Sequence, residues 1–316
     1  MIYFIVNPAA GSGRAKEAVP IIRQIMQENS VEHSFIYTDG PDDSTRISGL
    51  IGLDESAKSV NAQAIVCVGG DGTVQEYVGL VVNKGVKFGI IPCGSGNDLL
   101  CSLAANCHAL RQKGSAGDGA KKFPSFAEKI IFFAKKIIRG ETIDVDAVMV
   151  NGQRYFINIG GAGIDIQVLQ DALPLKKVFG GAAYFLSLVK NAITYNTVEM
   201  TLTVDGVSST DKYLLLAVCN GAFYGGNLRI APPAFIDDGL ITLCVVKKMP
   251  RLKLMALFPA VKPGRHIGFK EVSFINCSEA VLEFEDKKLI NLDGNLLEYT
   301  SPLTFEIIKA AVKLIV

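Results

Sequence analysis

The sequence lacks any excess of charge of one sign: its 316 residues hold 32 Lys and Arg against 31 Asp and Glu, a formal net charge of +1. Because nucleic-acid-binding proteins usually concentrate basic residues on one surface, this balance argues against DNA or RNA as a partner. No apolar run approaches the roughly 20 residues that a membrane-spanning helix needs. The start MIYFIVNP has neither the basic residues nor the cleavage pattern of a signal peptide. We therefore expect a cytoplasmic protein.

The sequence also lacks the patterns of a disulfide framework or a zinc site. None of its seven cysteines forms a C-x-x-C pair, and its three histidines have no metal-ligand spacing. Most of the cysteines lie in apolar runs such as AIVCV and ITLCVV, so we interpret them as reduced, small core residues.

The first half alternates short apolar runs with longer segments of helical period. The expected strands are IYFIV (2–6), SFIY (34–37), AIVCV (64–68) and KFGII (87–91). Strands that are apolar on both faces, with helices between them, are typical of a parallel sheet covered on both sides. The pattern predicts a doubly wound α/β domain over residues 1–142.

From about residue 143 the apolar residues alternate and the turns become tight. Runs such as EMTLTVDG, KYLLLAVCNG and KLINLDG end in Asp-Gly or Asn-Gly, which favours hairpins. We predict a mostly antiparallel β-sandwich or barrel over residues 143–303. The last segment, residues 304–316, is expected to be a strand that returns to one of the two sheets, the amino-terminal one included.

Two segments connect the halves. Residues 111–125, rich in Gly, Lys and Ser, indicate a mobile surface loop. Residues 126–140 predict a helix with Ile130, Phe133, Ala134 and Ile137 on one face. We favour a connecting helix with a buried stripe over a membrane-surface helix.

The stretch VGGDGTVQE (68–76) joins a strand end, a turn and a helical segment from Val74. Glycines there let a phosphate approach the backbone amides, and a helix amino terminus favours negative charge. Asp71 would repel that phosphate, so the pattern predicts a magnesium ion between them. Thr73 and Glu76 have capping-box spacing, and Glu76 is therefore either a cap or a contact in the active site.

Two more loops, NPAAGSGRA (7–15) and PCGSGNDLL (92–100), follow strands of the same half. Ligands of open α/β sheets bind beyond the carboxyl ends of the strands, where these loops meet. Neither a complete dinucleotide fingerprint nor the G-K-S/T of a Walker A loop is present.

Together these motifs resemble the diacylglycerol kinase catalytic superfamily, most closely its soluble bacterial lipid kinases. The resemblance rests on NPAAG, GGDGT and GSGND in the first half, and on NIGGAGID, KKVFGGAAY and the run NGAFYGGNLRIAPPAFIDDGLI (220–241) in the second. Phosphofructokinases and NAD kinases also carry GGDG, but the last run is not expected in them.

The resemblance implies ATP and Mg²⁺ as cofactors and assigns roles to residues. The nucleotide-binding residues would be Asn7, Pro8, Ala9, Ala10, Gly11, Thr38, Gly69, Gly70, Asp71, Gly72, Thr73, Val74, Gln75, Glu76, Ser95 and Asn97. Asp71 and Asp98 would orient the catalytic magnesium, with Asp144 as the third aspartate and Asp146 as its alternative. A second, structural magnesium would bind Asp238 and the carbonyls of Phe235 and Leu240.

The resemblance also makes Asp293, in NLDGN, the general base. The competing interpretation is a hairpin turn, because Asp-Gly between strands is a turn signal. Relatives usually have D-G-E here, whereas this chain has Asn295, which keeps an acceptor oxygen but loses the charge.

The expected function is therefore phosphorylation of a hydroxyl on a diacylglycerol-like lipid, with the lipid head in an apolar cleft between the halves. Such a substrate implies peripheral contact with the inner membrane surface. The alternatives are a nucleotide or lipid sensor without turnover, suggested by Asn295, and an NAD kinase relative, suggested by GGDG alone. The residues leave the oligomeric state open, a homodimer included.

Overall fold

A computed structural model shows two halves joined by one long mixed β-sheet. It describes residues 1–40, 43–53, 62–94, 96–114, 121–179, 186–187, 190–191, 194–195, 197–285 and 287–316. Ser95, residues 115–120 of the expected surface loop, and most of the KKVFGGAAY motif lie outside the described residues.

The first half is the doubly wound α/β domain that the sequence predicts. Its four parallel strands stand in the order β2-β1-β3-β4. The strands are β1 (Ile2–Val6), β2 (His33–Tyr37), β3 (Ala64–Gly69) and β4 (Lys87–Pro92). The helices are α1 (Arg14–Glu28), α2 (Ser44–Ile51), α3 (Asp71–Val78), α4 (Asp98–Ala105), α5 (His108–Gln112) and α6 (Phe126–Arg139).

Apolar clusters cover both faces of this sheet. On one face α1 packs with α6, and the α6 stripe of Ile130, Phe133, Ala134 and Ile137 is buried as predicted. Ser125 begins α6 by accepting a hydrogen bond from the Glu128 N–H, and Gly140 ends it in the left-handed conformation. The other face is covered by α2 to α5. Because this stripe packs on the sheet, α6 is a connecting helix with a buried stripe, as the sequence predicts.

The second half is mostly antiparallel, as predicted. Its strands are β5 (Thr142–Val150), β6 (Arg154–Phe156), β7 (Ile159–Gly163), β8 (Val198–Val204), β9 (Val207–Cys219), β10 (Phe223–Tyr224), β11 (Leu228–Arg229), β12 (Ile241–Lys247), β13 (Val272–Cys277), β14 (Glu279–Glu283), β15 (Lys288–Leu292) and β16 (Asn295–Tyr299). Asp293 and Gly294, with φ of 46° and 95°, turn β15 into β16. The predicted hairpin turn is therefore confirmed.

The last strand, β17 (Leu303–Ile315), joins the two halves. It runs antiparallel to β14 and β5, and near its end Lys313 and Leu314 pair in parallel with Lys87 and Phe88 of β4. The parallel sheet and the carboxy-terminal strands are thus hydrogen-bonded to each other, which fixes the glycine-rich loops of the first half relative to the second half.

Two helices of the second half have no counterpart in the sequence prediction: α7 (Ile164–Phe179) and α8 (Arg251–Val261). Each contains a proline, Pro174 and Pro259, and α8 has apolar residues around its whole circumference. Neither helix presents one clear stripe, which is why periodicity failed to find them. Among the described residues, no helix is both long enough and apolar enough to span a bilayer.

Candidate active site

The candidate site lies where the loops after β1, β3 and β4 meet. A Cβ placed on Gly94 would lie 2.6 Å from the Cα of Gly70, so the two loops touch backbone to backbone. Cys93 N–H and Gly94 N–H both donate to the Gly69 carbonyl, at 2.7 and 3.1 Å. Glycine is required at this contact because any side chain would push the loops apart.

The first loop is tied to the second by a side chain. Asn7 Nδ2 donates to Thr73 Oγ1 at 3.1 Å, and Asn7 Oδ1 accepts from the Ala9 N–H at 3.1 Å. Gly11 has φ of +62°, and a Cβ there would collide with the carbonyl oxygen of Cys93. These contacts bring together the predicted residues of the NPAAG, GGDGT and GSGND motifs.

The remaining predicted nucleotide residues occupy the same edge. Thr38 follows β2, is buried and donates its N–H to the Val6 carbonyl at 3.0 Å. Pro8 and Ala10 lie in the first loop, and Val74 and Gln75 are buried on α3. Asn97 precedes α4 with φ of 55° and donates Nδ2 to the Gly94 carbonyl at 3.2 Å.

The capping-box interpretation of Thr73 and Glu76 is wrong. A helix capped by Thr73 would begin at Val74, but helix α3 begins at Asp71. Its N-cap residue is Gly70, and no side chain caps it. Thr73 instead receives the Asn7 hydrogen bond, while Glu76 Oε1 accepts from the Asp43 N–H at 3.2 Å. In the first turn of α3 the N–H groups of Thr73 and Val74 donate to the Gly70 carbonyl, at 3.0 and 3.1 Å.

Asp71 and Asp98 face each other across Gly96. A Cβ on Gly96 would lie 3.1 Å from Asp71 Oδ2 and 3.2 Å from Asp98 Oδ2. Burial, together with the negative charge of Asp98, raises the pKa of Asp71 to about 6, although the Leu99 N–H donates to Asp71 Oδ1 at 3.3 Å. Burial also raises the pKa of Asp98. Two carboxylates that both approach Gly96 in a largely desolvated position would be stabilised by a divalent cation.

Asp98 also contacts the second half. The Gly226 and Asn227 N–H groups donate to its two carboxylate oxygens, at 2.9 and 2.7 Å. Both amides belong to the run 220–241, so the most discriminating motif of the resemblance is in direct contact with the first half.

Asp293 lies in a cradle of backbone amides. Its carboxylate accepts from the N–H groups of Ile157 (3.1 Å), Asn158 (3.2 Å) and Ile159 (2.6 Å). Burial raises the pKa of Asp293 to about 7, the three amides oppose that rise, and the charge of Asp71 adds to it. Asp293 is thus a buried carboxylate within electrostatic reach of Asp71, and it is poised to exchange a proton near neutral pH.

Asn295 connects the Asp293 turn to the first half. Its Nδ2 donates to the Gly72 carbonyl at 3.2 Å and to Gln75 Oε1 at 2.5 Å. Asn295 therefore lies against the first turns of α3, beside the loop that carries Asp71. A glutamate at this position could make neither donation.

Asn158, the first residue of the NIGGAGID motif, is a site residue to which the sequence prediction gives no role. Besides its N–H bond to Asp293, its Oδ1 accepts from Ser102 Oγ at 2.7 Å and its Nδ2 donates to the Phe223 carbonyl at 2.6 Å. Asn158 is a polar residue in the otherwise apolar stretch NIGGAG, and it is buried. That pattern could have predicted its role, because a buried polar side chain needs hydrogen-bond partners.

The structure does not bring Asp144 to this site. Its half-exposed side chain lies 3.4 Å from Lys313 Nζ, and Lys313 pairs with Lys87, the first residue of β4. The glycine-rich loop follows the last residue of β4. Asp144 therefore lies at the opposite end of that strand. The alternative, Asp146, is buried and accepts from the N–H groups of Gly239 and Ala310, both at 2.7 Å. The assignment of Asp144 as the third catalytic aspartate is therefore corrected.

The residues of the predicted structural magnesium site lie beside Asp146. Asp238 Oδ1 accepts from the Leu240 N–H at 3.0 Å, and burial, with the charges of Asp146 and Asp237, raises the pKa of Asp238. Phe235 stacks on His108 with ring centroids 4.1 Å apart. Within the described part of the chain, no group of three or more His, Cys, Asp or Glu side chains is arranged to hold a metal.

An apolar cavity lies within the second half rather than between the halves. It is bounded by β9, β12, α7, α8 and the β10–β11 hairpin, and most of its lining residues are aliphatic or aromatic. Asp165 is the acidic residue of the lining, and burial raises its pKa to about 6. The side chains of Asn291 and Tyr224 hydrogen-bond the Asp165 carboxylate and oppose that rise. This cavity contains one buried carboxyl group and lies inside the second half, whereas the sequence predicts the lipid head in a cleft between the halves.

The fold and these contacts agree with the comparisons to known proteins. Residues 1–150 match the diacylglycerol kinase catalytic domain, and residues 158–316 match the YegS C-terminal NAD kinase beta sandwich-like domain. The chain belongs to this family of lipid kinases, in which a diacylglycerol kinase catalytic domain is followed by a YegS-type β-sandwich domain.

Two relatives and one solved structure illustrate the similarity. The chain is 26% identical to the diacylglycerol kinase of Bacillus subtilis, over 92% of this chain and 88% of that protein. It is 28% identical to a protein of Chromohalobacter salexigens named "Probable lipid kinase YegS-like", over 77% of this chain and 72% of that protein. A crystal structure of a diacylglycerol kinase from Bacillus anthracis superposes with a TM-score of 0.74 at 23% identity, covering 99% and 96% of the chains. The last similarity supports the fold.

Proposed function

We propose that this protein is an ATP- and Mg²⁺-dependent lipid kinase that transfers the γ-phosphoryl group of ATP to a hydroxyl of a diacylglycerol-like lipid. The observation that carries the proposal is Asp293, a buried carboxylate with a pKa raised to about 7, held by three backbone amides within electrostatic reach of Asp71, whose helix begins where the glycine-rich loops meet. Phosphoryl transfer needs these elements together: a phosphate cradle, carboxylates for a cation, and a base.

The glycine-rich loops and the amino terminus of α3 would bind the phosphates of ATP through backbone amides. Asp71 and Asp98 would hold the magnesium ion, whose chemistry is to neutralise charge on the transferring phosphoryl group. Asp293 would accept the proton of the attacking hydroxyl. Asn158 and its neighbours 157 and 159 would orient that carboxylate through their amides.

The cavity of the second half supports a lipid as the acceptor. Its lining suits an acyl chain, and Asp165 is a buried acceptor for a hydroxyl of the lipid. Relatives carrying the names diacylglycerol kinase and lipid kinase support the same substrate class. A lipid substrate implies that the protein works at a membrane surface.

The test is transfer of ³²P from [γ-³²P]ATP to dihexanoylglycerol, a water-soluble diacylglycerol, and to a total lipid extract. The wild-type protein should label a lipid in the presence of Mg²⁺, and Asp71→Ala should not. Circular dichroism must show that the variant is folded. Equal labelling by both proteins, or none by the wild type with any lipid, would reject the proposal.

A further inference from the structure

One segment of the second half is strongly basic although the chain as a whole is nearly neutral. Residues 247–270, which we call the basic segment, contain seven Lys and Arg residues and no Asp or Glu. The seven are Lys247, Lys248, Arg251, Lys253, Lys262, Arg265 and Lys270. They lie at the end of β12, on α8, on the 3-10 helix Arg265–Gly268 and in the neighbouring loops.

Most of this charge is open to solvent. Lys247 pairs with Asp211 and Lys253 pairs with Glu271, both at 2.6 Å. In the described part of the chain no ion pair joins the other five cations to an acid, and all five are exposed. A cluster of uncompensated positive charge attracts an anionic partner.

Large apolar side chains are exposed among these cations. Leu252 is 84% exposed and Met255 48% exposed on α8, and Ile267 is 55% exposed on the 3-10 helix. Solvent-exposed apolar residues in a group mark an interaction site rather than a solvated surface. Such side chains ringed by lysine and arginine are the features that bind the interface of an anionic bilayer.

The other side of α8 lines the apolar cavity. Leu254 and Leu257 are buried there, and they alternate along the helix with the exposed Leu252 and Met255. The helix is therefore apolar on both sides, with the cavity on one and solvent on the other. A soluble surface helix normally carries polar residues on its outer face, so this helix needs an apolar environment outside as well.

We propose that the basic segment docks on an anionic phospholipid bilayer, with Leu252, Met255 and Ile267 inserted among the lipids. Docking in this orientation places α8, which forms one wall of the apolar cavity, against the membrane. The inference rests on the proposed function for its lipid substrate. The charge argues for a bilayer over a second copy of this chain, whose basic segment would repel it.

The first experiment measures flotation with phosphatidylcholine vesicles that contain or lack phosphatidylglycerol. The wild-type protein should float with the anionic vesicles alone. Leu252→Gln and Ile267→Gln should each weaken binding about tenfold, because each loses the burial of one large side chain. Leu50→Gln is the matched control, since Leu50 is 59% exposed on α2, outside the basic segment, and should bind as wild type.

The second experiment tests the charge. Lys248→Gln and Arg265→Gln should each weaken binding about fivefold, and added salt should weaken wild-type binding, whereas Lys16→Gln on α1 should change nothing. Unchanged binding by all four variants of the basic segment would overturn the proposal. So would a wild-type dimer in sedimentation that Leu252→Gln dissociates, because the apolar group would then be a protein interface.

The two proposals fail in different ways. The docking variants should phosphorylate the water-soluble dihexanoylglycerol at the wild-type rate and lose activity only on diacylglycerol in anionic vesicles. Absence of any phosphate transfer by a wild-type protein that floats with anionic vesicles would reject the kinase and leave the docking surface intact. Equal loss of activity on both substrates would overturn the docking proposal.

Discussion

Asn295 Nδ2 donates a hydrogen bond of 2.5 Å to Gln75 Oε1, and this bond joins the Asp293 turn of the second half to helix α3 of the first. The same amide donates to the Gly72 carbonyl, next to Asp71. Asp293, the proposed general base, and Asp71, a carboxylate proposed to hold magnesium, are thus connected through one side chain. Asn295, which replaces the glutamate of the usual D-G-E motif, therefore makes a contact between the halves.

Replacing Asn295 should weaken both the protein and the reaction. Asn295→Asp keeps the shape and removes the donor, so the free energy of unfolding should fall by about 1–2 kcal/mol and kcat should fall with it. Asn295→Glu should behave likewise. Urea unfolding and the transfer assay measure the two effects, with Asn83→Asp at an exposed position as control. A higher rate in Asn295→Glu would show instead that a charge supports the base.

Gly94→Ala should abolish nucleotide binding while leaving most of the fold intact. The new Cβ would lie 2.6 Å from the Cα of Gly70, and because backbone cannot give way as a flexible side chain can, the two loops must separate. ATP titration monitored by calorimetry measures the loss. Gly49→Ala, where no atom lies within 4 Å of the added Cβ, should bind ATP normally. Wild-type affinity in Gly94→Ala would show that this loop contact does not shape the site.

Asp293→Asn should lower kcat by about one hundred- to ten thousand-fold, the usual contribution of a general base. The affinity for Mg·ATP should stay near the wild-type value because Asp293 is not among the proposed phosphate or metal contacts. Kinetics with dihexanoylglycerol and calorimetry with ATP separate the two quantities. A fall of less than about tenfold in kcat would remove Asp293 from the role of base.

The pKa of Asp293 predicts a pH dependence. The base acts only when deprotonated, so kcat/KM for ATP, which reports on the free enzyme, should fall as the pH drops below about 7 and level off above it. A cation bound near Asp71 would offset the negative charge of Asp71, which helps to raise the pKa of Asp293. The fall of kcat, which reports on the enzyme–substrate complex, should therefore occur at lower pH than the fall of kcat/KM. Profiles of both parameters over this range test the assignment, and a flat kcat/KM profile would contradict it.

The parallel strands and the Asp-Gly turns could be predicted because their signals are local. Strand β3 is buried along its full length, so its sequence is apolar at each position, and the Asp293–Gly294 turn needs positive φ at two neighbouring residues. The α6 stripe was likewise readable from spacing alone.

What could not be predicted depends on residues far apart in the chain. Asp144 and Asp146 lie two residues apart and therefore on the same side of β5. Asp144 is half-exposed and Asp146 is buried, because the register shift in β17 lets the Ala310 N–H donate to Asp146. The roles of Asn158 and Asn295 exist only once the halves pack together. Helix α8 was missed because both of its sides are apolar, which cancels the helical period.

The central claim is that three strand-end loops bind ATP through a divalent cation held by Asp71 and Asp98. Isothermal titration of ATP into the wild-type protein, with Mg²⁺ and with EDTA, tests it most directly, with Asp71→Asn and Asp98→Asn as the matched variants. The account predicts saturable heat with Mg²⁺ that is lost with EDTA and strongly reduced in both variants. No heat with Mg·ATP, or the same affinity in all these titrations, would contradict it.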